Sequence, residues 1–525
     1  MTSKATAGAT TTRTLRRAGV VTGAVAALLS ALPLAPATAA AAPAPGTQAR
    51  PGWCPDLDGY RVDCGTVKRP LVADKPWLGS VPVAYAVVRH TGPGPARGTV
   101  AINPGGPGET AIDRAEPFAA ALQGVLDTHD VLLVDPRGTG RSGRIPCGVT
   151  DAEYRFADHA GQRAAVARCA ERLGPRAAGY TSAATADDLD AVRARLGAES
   201  LVLYGLSYGT YLMPVYAGRH PERVESMVLS GAFPLAVDPL ARPSAEAVAQ
   251  SLRRVCERSA ACDGATAVED LGTVAARLRE RPLTLRIDAA GATRTLRFTE
   301  DKFANLLYEA ASREAGADPA GHSLLGDLPA ALHAAARGDD TALTALVRAD
   351  YAPATAEDQA GFLAVACNDY ARAWSVDAPL AVRRQQYRQA LSAADPNRFA
   401  PFSVEGFTAG QTDGADACIR WPRSGTARPQ PVDGPLPDVP VLVLSGDLDS
   451  NTPESASRLS AAQFRRSTLV SVPNAGHVPE LESTHCAVAV ANTFIRTGQP
   501  GDTSCTTAVP PIAVTPVNAA GPTAG

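Results

Sequence analysis

One stretch limits the architectures open to this chain more than any other. Ser200-Leu201-Val202-Leu203-Tyr204-Gly205-Leu206-Ser207-Tyr208-Gly209-Thr210-Tyr211-Leu212 reads as a buried strand, a sharp turn and the start of a helix. Inside it, Gly205-Leu206-Ser207-Tyr208-Gly209 fits G-x-S-x-G, the pattern of a nucleophile lifted clear of a sheet edge. An attacking serine must stand free of its strand, so the backbone turns hard at Ser207. Glycines on either side keep side chains from colliding where strand and helix nearly touch. The helix that follows aims its first N–H groups toward the reacting centre.

The flanking sequence supplies a sheet for that turn. Val81 to Arg89 alternates like an antiparallel strand. Gly98 to Asn103 is a second strand, ending at Pro104-Gly105-Gly106-Pro107-Gly108, and Asp130 to Asp135 a third, followed by Pro136-Arg137-Gly138-Thr139-Gly140-Arg141-Ser142-Gly143. Asp187 to Leu196 is an amphipathic helix leading into the serine strand, and Val224 to Ser230 is the next strand. Short apolar runs alternating with helices imply a mostly parallel sheet covered on both faces. From about Asp238 to Arg428 helical segments dominate: Ser244–Arg258, Val268–Arg279, Thr299–Arg313, Leu324–Arg337, Asp340–Arg348 and Ala381–Ala393. This reads as a helical cap inserted before Val439–Gly446, where the sheet resumes. Ser467–Val472 and a closing helix, Ala487–Arg496, follow.

A serine hydroxyl is a weak nucleophile at neutral pH and needs an oriented base. His477, in Pro473-Asn474-Ala475-Gly476-His477-Val478 after the last strand, is the candidate, with His485 the fallback. An acid must fix its tautomer and stabilise the imidazolium. Gly446-Asp447-Leu448-Asp449-Ser450-Asn451-Thr452-Pro453 offers two; Asp449 sits further into the loop and is favoured, with Asp447 bracing the turn. The developing oxyanion needs two N–H donors. Tyr208 supplies one and Gly106 the other, with Gly105 as the alternative. Asp135 to Gly143 reads as a structural loop beside the site. The order Ser207, Asp449, His477 is that of the α/β-hydrolase fold.

The N-terminus reads as an export signal. Arg13, Arg16 and Arg17 precede an apolar run from Ala18 to Leu34, and Ala37-Thr38-Ala39 gives an A-x-A cleavage pattern. Cleavage is expected near 39–42, by the general secretory route, leaving no membrane segment and a secreted, extracellular protein. Ten cysteines without a C-x-x-C spacing suit disulfides and not a metal site. Connectivity is not deducible from sequence, but short loops close most easily. Neighbours are therefore expected to pair: Cys54–Cys64, Cys147–Cys169, Cys256–Cys262, Cys367–Cys418 and Cys486–Cys505. A net charge of −3 gives no electrostatic case for nucleic acid or an anionic membrane. The resulting division is 1–42 signal peptide, 43–237 first part of the core, 238–428 cap, 429–505 second part of the core, and 506–525 a frayed tail.

Together NPGGPG, DPRGTGRSG, GLSYGTYL, GDLDSNTP and AGH make the chain resemble the secreted tripeptidyl aminopeptidases related to proline iminopeptidases, from about Cys54 to Cys505. Ala366-Cys367-Asn368-Asp369 and Cys418-Ile419-Arg420-Trp421-Pro422 resemble the cap of that family too. The resemblance implies a serine exopeptidase, free of cofactor and metal, that releases short peptides, tripeptides foremost, from free N-termini. The family continues its glycine loop as GGSG, whereas this chain has Gly108-Glu109-Thr110. An exopeptidase must hold an ammonium, and a carboxylate is its natural partner. Asp369 and Glu109 are the candidates. An esterase or amidase with the same triad is the rival within the enzymes; an inactive hydrolase-fold binding protein is the rival outside them.

Overall fold

The computed structural model describes residues 50–312, 316–318, 320–355, 357, 359–411, 416–422 and 436–517. The expected signal peptide lies outside the described residues. Ten strands run in chain order: β1 (Val62–Pro70), β2 (Ser80–Val88), β3 (Gly98–Asn103), β4 (His129–Val134), β5 (Leu201–Leu206), β6 (Val224–Ser230), β7 (Leu283–Ala289), β8 (Ala292–Phe298), β9 (Val441–Gly446) and β10 (Ser467–Val472). Eight form one sheet in the order β1-β2-β4-β3-β5-β6-β9-β10. β2 runs antiparallel to both its neighbours, and every pairing from β4 to β10 is parallel.

Every residue of β4 and β9 is buried, as expected of strands inside a sheet covered on both faces. Successive side chains alternate between two cores. Leu203, Leu132 and Val443 enter one. Val202, Tyr204, Leu133 and Leu442 enter the other, against Phe118 and Phe494 of the helices Ala115–Ala121 and Cys486–Thr497. Each fully buried apolar side chain of this size contributes about 1.5–3 kcal/mol. Such a sheet is a stiff base, and the loops at its carboxyl edge carry the candidate site residues.

Between β6 and β9 the described residues form eight α-helices, among them Arg242–Ser259, Glu300–Ala310 and Ala360–Asp369. Among them lies a hairpin that the expectation of a helical cap did not include. β7 and β8 pair as an antiparallel hairpin around Ala290-Gly291. Its signal was period two: Leu285, Ile287 and Ala289 are buried on one face while Thr284, Arg286 and Asp288 face outward.

The expectation of a frayed tail is corrected for residues 506–517. Thr515 N–H donates to Gly326 O and Val517 N–H to Ala261 O, each at 3.0 Å, while Ile512 and Val514 are buried. The apolar β-branched residues of this Pro-rich run give it surface worth burying. Residues 518–525 lie outside the described residues. The five disulfides join the neighbouring cysteines Cys54–Cys64, Cys147–Cys169, Cys256–Cys262, Cys367–Cys418 and Cys486–Cys505.

Candidate active site

Ser207 follows β5 with φ of 52°, a left-handed conformation that costs a non-glycine residue energy and that the surrounding structure must hold. Its N–H donates to Ser230 O at 2.9 Å, pinning the turn to β6. A Cβ on Gly205 would collide with the backbone of Gly209, and one on Gly209 would lie 2.8 Å from Asn103 O. The two motif glycines are there because strand and helix touch.

Past β9, Asp449 is completely buried, and its Oδ2 lies 2.8 Å from His477 Nδ1. Asn451 N–H and Thr452 N–H donate to Oδ1 at 2.8 and 2.9 Å, and the Thr452 hydroxyl donates to Oδ2 at 2.6 Å. Burial alone would push this carboxyl up, but His477 and the Thr452 donors hold it below the usual carboxylate range. Burial works against a charged His477, and Asp449 overcomes it, placing the imidazole above its ordinary value. Thr452, which the sequence reading did not single out, also stands 3.0 Å from His477 Nδ1.

Asp447 is occupied elsewhere. Its Oδ1 accepts from Asn474 N–H at 2.8 Å, and its Oδ2 pairs with Arg258 at 2.5 Å. It ties the acid loop to the histidine loop and to the helix Arg242–Ser259. His485, the fallback base, precedes the helix Cys486–Thr497. It makes no hydrogen bond with Asp449 among the described residues, whereas His477 does.

Tyr208 precedes the helix Gly209–Arg219, so its N–H belongs to the first turn, where intrahelical acceptors are missing. The N–H of Gly105 donates to Asn103 Oδ1 at 3.1 Å. That leaves Gly106 the better second donor, although a Cβ on Gly105 would stand 2.8 Å from Ser207 Cβ. Ser207, His477 and Gly106 all line one cavity of about 1850 Å³. Its wall takes residues from both ends of the core and from the segment between β6 and β9, including Tyr308, Phe362 and Gln411.

The two ammonium candidates separate. Asp369 is not on the cavity wall; it is 1% exposed and turned inward. Its Oδ2 accepts from Ser182 N–H at 2.5 Å and from the Ser182 hydroxyl at 2.6 Å, and Oδ1 has no hydrogen-bond partner among the described residues. Burial pushes its carboxyl up to about 7, with Ser182 offsetting only part. The expectation that Asp369 binds substrate is corrected: it closes the joint between the helices Ala360–Asp369 and Ser182–Leu196. Glu109 does line the cavity, about half exposed and paired with Arg114 at 2.6 Å. A carboxylate the sequence reading passed over, Glu480, also lines it. Among the described residues no cluster of His, Cys, Asp and Glu could hold a metal ion, and no helix is long and apolar enough to cross a membrane.

An acid-oriented imidazole in one cavity with a serine on a strained turn is an arrangement suited to acyl transfer, with N–H groups available for the oxyanion. Residues 98–267 match the family described as alpha/beta hydrolase fold, and residues 403–505 the family described as TAP-like protein. Over 197 residues the chain is 34% identical to the serine protease Hip1 of Mycobacterium tuberculosis, covering 34% of this chain and 37% of that one. Over 187 residues it is 33% identical to a tripeptidyl aminopeptidase of Streptomyces coelicolor, covering 32% and 34%. These matches span about a third of either relative's length. A carboxylesterase B of Mycobacterium tuberculosis is 28% identical over 518 residues, covering 87% of this chain and 92% of that one.

Proposed function

We propose that this chain, whose sequence matches the alpha/beta hydrolase fold and TAP-like families and resembles a tripeptidyl aminopeptidase over about a third of its length, acts as a secreted serine exopeptidase releasing short peptides, tripeptides foremost, from free N-termini. Ser207 is the nucleophile, His477 the general base and then acid, and Asp449 the group that orients it. Ser207 Oγ attacks the scissile carbonyl and passes its proton to His477 Nε2. The N–H groups of Tyr208 and Gly106 receive the oxyanion. His477 returns the proton to the leaving amine, and water repeats the sequence on the acyl-enzyme. The observation that carries this reading is the buried Asp449–His477 pair at 2.8 Å in the cavity that Ser207 lines.

The cavity volume fits the substrate class. About 1850 Å³ exceeds the roughly 300–1,000 Å³ of a drug-sized pocket and leaves room for several peptide residues. The segment 238–428 serves as a cap that supplies part of the wall, and export fits five disulfides. A second reading is an esterase using the same residues, favoured by the long span of the carboxylesterase B match.

The test pairs fluorophosphonate labelling with a panel of aminoacyl, dipeptidyl and tripeptidyl chromogenic amides and simple esters. Labelling at Ser207 and fastest turnover of a tripeptidyl amide are expected. Ser207→Ala should lose labelling and roughly four to six decades of kcat. Labelling with turnover of esters alone moves the assignment to the esterase, and failure to label removes the catalytic reading.

A further inference from the structure

Glu480 stands three residues after His477, on the short turn Pro479–Leu481, and lines the cavity that holds Ser207 and His477. Both its oxygens are engaged by hydroxyls from the central sheet. Tyr204 of β5 donates to Oε1 at 2.6 Å, and Ser230 of β6 donates to Oε2. β5 leads into Ser207, and Ser230 also accepts the Ser207 N–H through its carbonyl. The carboxylate thus ties the histidine loop to the base of the serine turn. No arginine or lysine pairs with it among the described residues.

We infer that Glu480 is a second carboxylate of the active centre, a positioning residue that fixes the His477 loop against β5 and β6 and holds a negative charge on that loop, in the cavity of Ser207 and His477. The inference rests on the reading of His477 as the general base. Three carboxylates act on that ring: Asp449 from the loop after β9, directly at Nδ1; Glu309 from the helix Glu300–Ala310; and Glu480 from its own loop. Burial raises the Glu480 carboxyl, and the hydroxyls of Ser230 and Tyr204 and the charge of His477 oppose the rise. The two O–H donors need an acceptor on each oxygen, which the ionised form provides. When His477 takes the proton from Ser207, the new positive charge appears in the same cavity as this carboxylate, which the two hydroxyls already hold in place.

The sign of the effect separates this role from simple bracing. Removing a nearby negative charge lowers the pKa of an imidazole. Glu480→Gln should therefore move the acidic limb of kcat/KM on a tripeptidyl amide to lower pH, by roughly half a unit or more, while plateau kcat falls about tenfold. KM should stay within about twofold, since the group acts through His477 and not on the substrate. The double variant Tyr204→Phe, Ser230→Ala keeps the carboxyl but strips its donors. It should lose kcat mainly on the acidic side, where Glu480 then takes up a proton.

An unshifted limb with wild-type kcat in Glu480→Gln overturns the inference. So does a KM that rises only for substrates with a free amine, which would make Glu480 the ammonium anchor. Should Glu480→Gln fail to fold by thermal melting, a wild-type pH profile in the double variant overturns it equally. These outcomes are distinct from failure of the functional reading, because that failure shows in the wild type, as absent fluorophosphonate labelling.

Discussion

At the scale of single residues, Asp447 and Asp449 show how position in a loop decides chemistry. They are two residues apart, yet Asp449 faces His477 and Asp447 faces Arg258 and the amide of Asn474. Asp449→Asn should cost about four decades of kcat, because the amide favours the wrong imidazole tautomer. It should also move the acidic limb of kcat/KM to lower pH, since the carboxylate that lifts His477 above its usual value is gone. Asp447→Asn should leave kcat within severalfold and instead lower stability by about 1–3 kcal/mol, read from a denaturant melt. Equal losses of kcat in the two variants would reverse the assignment. The choice between these aspartates was legible in the sequence because side-chain reach follows loop position. Asp369 was not: its acid type and family-like surroundings pointed to substrate, while only the packing of two helices shows that it turns inward to Ser182. Glu480 was missed for a related reason, since nothing local reveals that Tyr204 and Ser230, about 250 residues away or more, supply its donors.

At the scale of elements, the parallel strands were readable from their short apolar runs, and the helices flanking them as periodic ones. The hairpin β7–β8 was not, although its alternation is clean, because a segment rich in helices invited a single reading. The tail to Val517 escaped because proline and small residues suggest fraying until Ile512 and Val514 find an apolar seat. The joint at Asp369 yields a stability prediction. Its folded carboxyl, raised to about 7 by burial, holds a proton that the unfolded chain has released above about 4. The unfolded state therefore binds fewer protons between these values, and stability falls as pH rises through the window. Asp369→Asn removes the ionisable group while keeping an oxygen for Ser182. Its melting temperature relative to wild type should rise from pH 4 to pH 8, and a pH-independent difference would refute the buried acid. Nearby, Cys367–Cys418 closes a loop with a sequence separation of 51, joining the helix Ala360–Asp369 to Ala417–Arg420. Replacing both cysteines with serine should cost about 4 kcal/mol by chain entropy, measured by denaturant unfolding.

At the scale of the whole molecule, the helices between β6 and β9 are fastened to both ends of the core. Asn368 Nδ2 donates to Ala177 O and Tyr180 O at 2.9 and 2.8 Å, on the serine side. His477 N–H donates to Ala311 O at 2.9 Å, and the Ser450 hydroxyl to Tyr308 O at 2.9 Å, on the acid and histidine side. On the proposed exopeptidase reading, a segment held at both ends of the core would admit a chain end and exclude the middle of a folded protein. With Asp369 turned inward, Glu109 is the remaining one of the two candidates proposed for the substrate ammonium, and it already holds Arg114. An ion pair this exposed is worth at most about 1 kcal/mol, so on the proposed reading recognition of the free amine would compete with Arg114. A free tripeptidyl amide should then exceed its N-acetylated form in kcat/KM by only about two- to fivefold. Glu109→Gln should bring the ratio near one without touching fluorophosphonate labelling of Ser207. Arg114→Ala should raise the ratio above wild type, because the carboxylate it releases is free to take the substrate's charge. A ratio near one in the wild type would instead favour the esterase. A ratio that survives Glu109→Gln would place the anchor on another wall of the cavity.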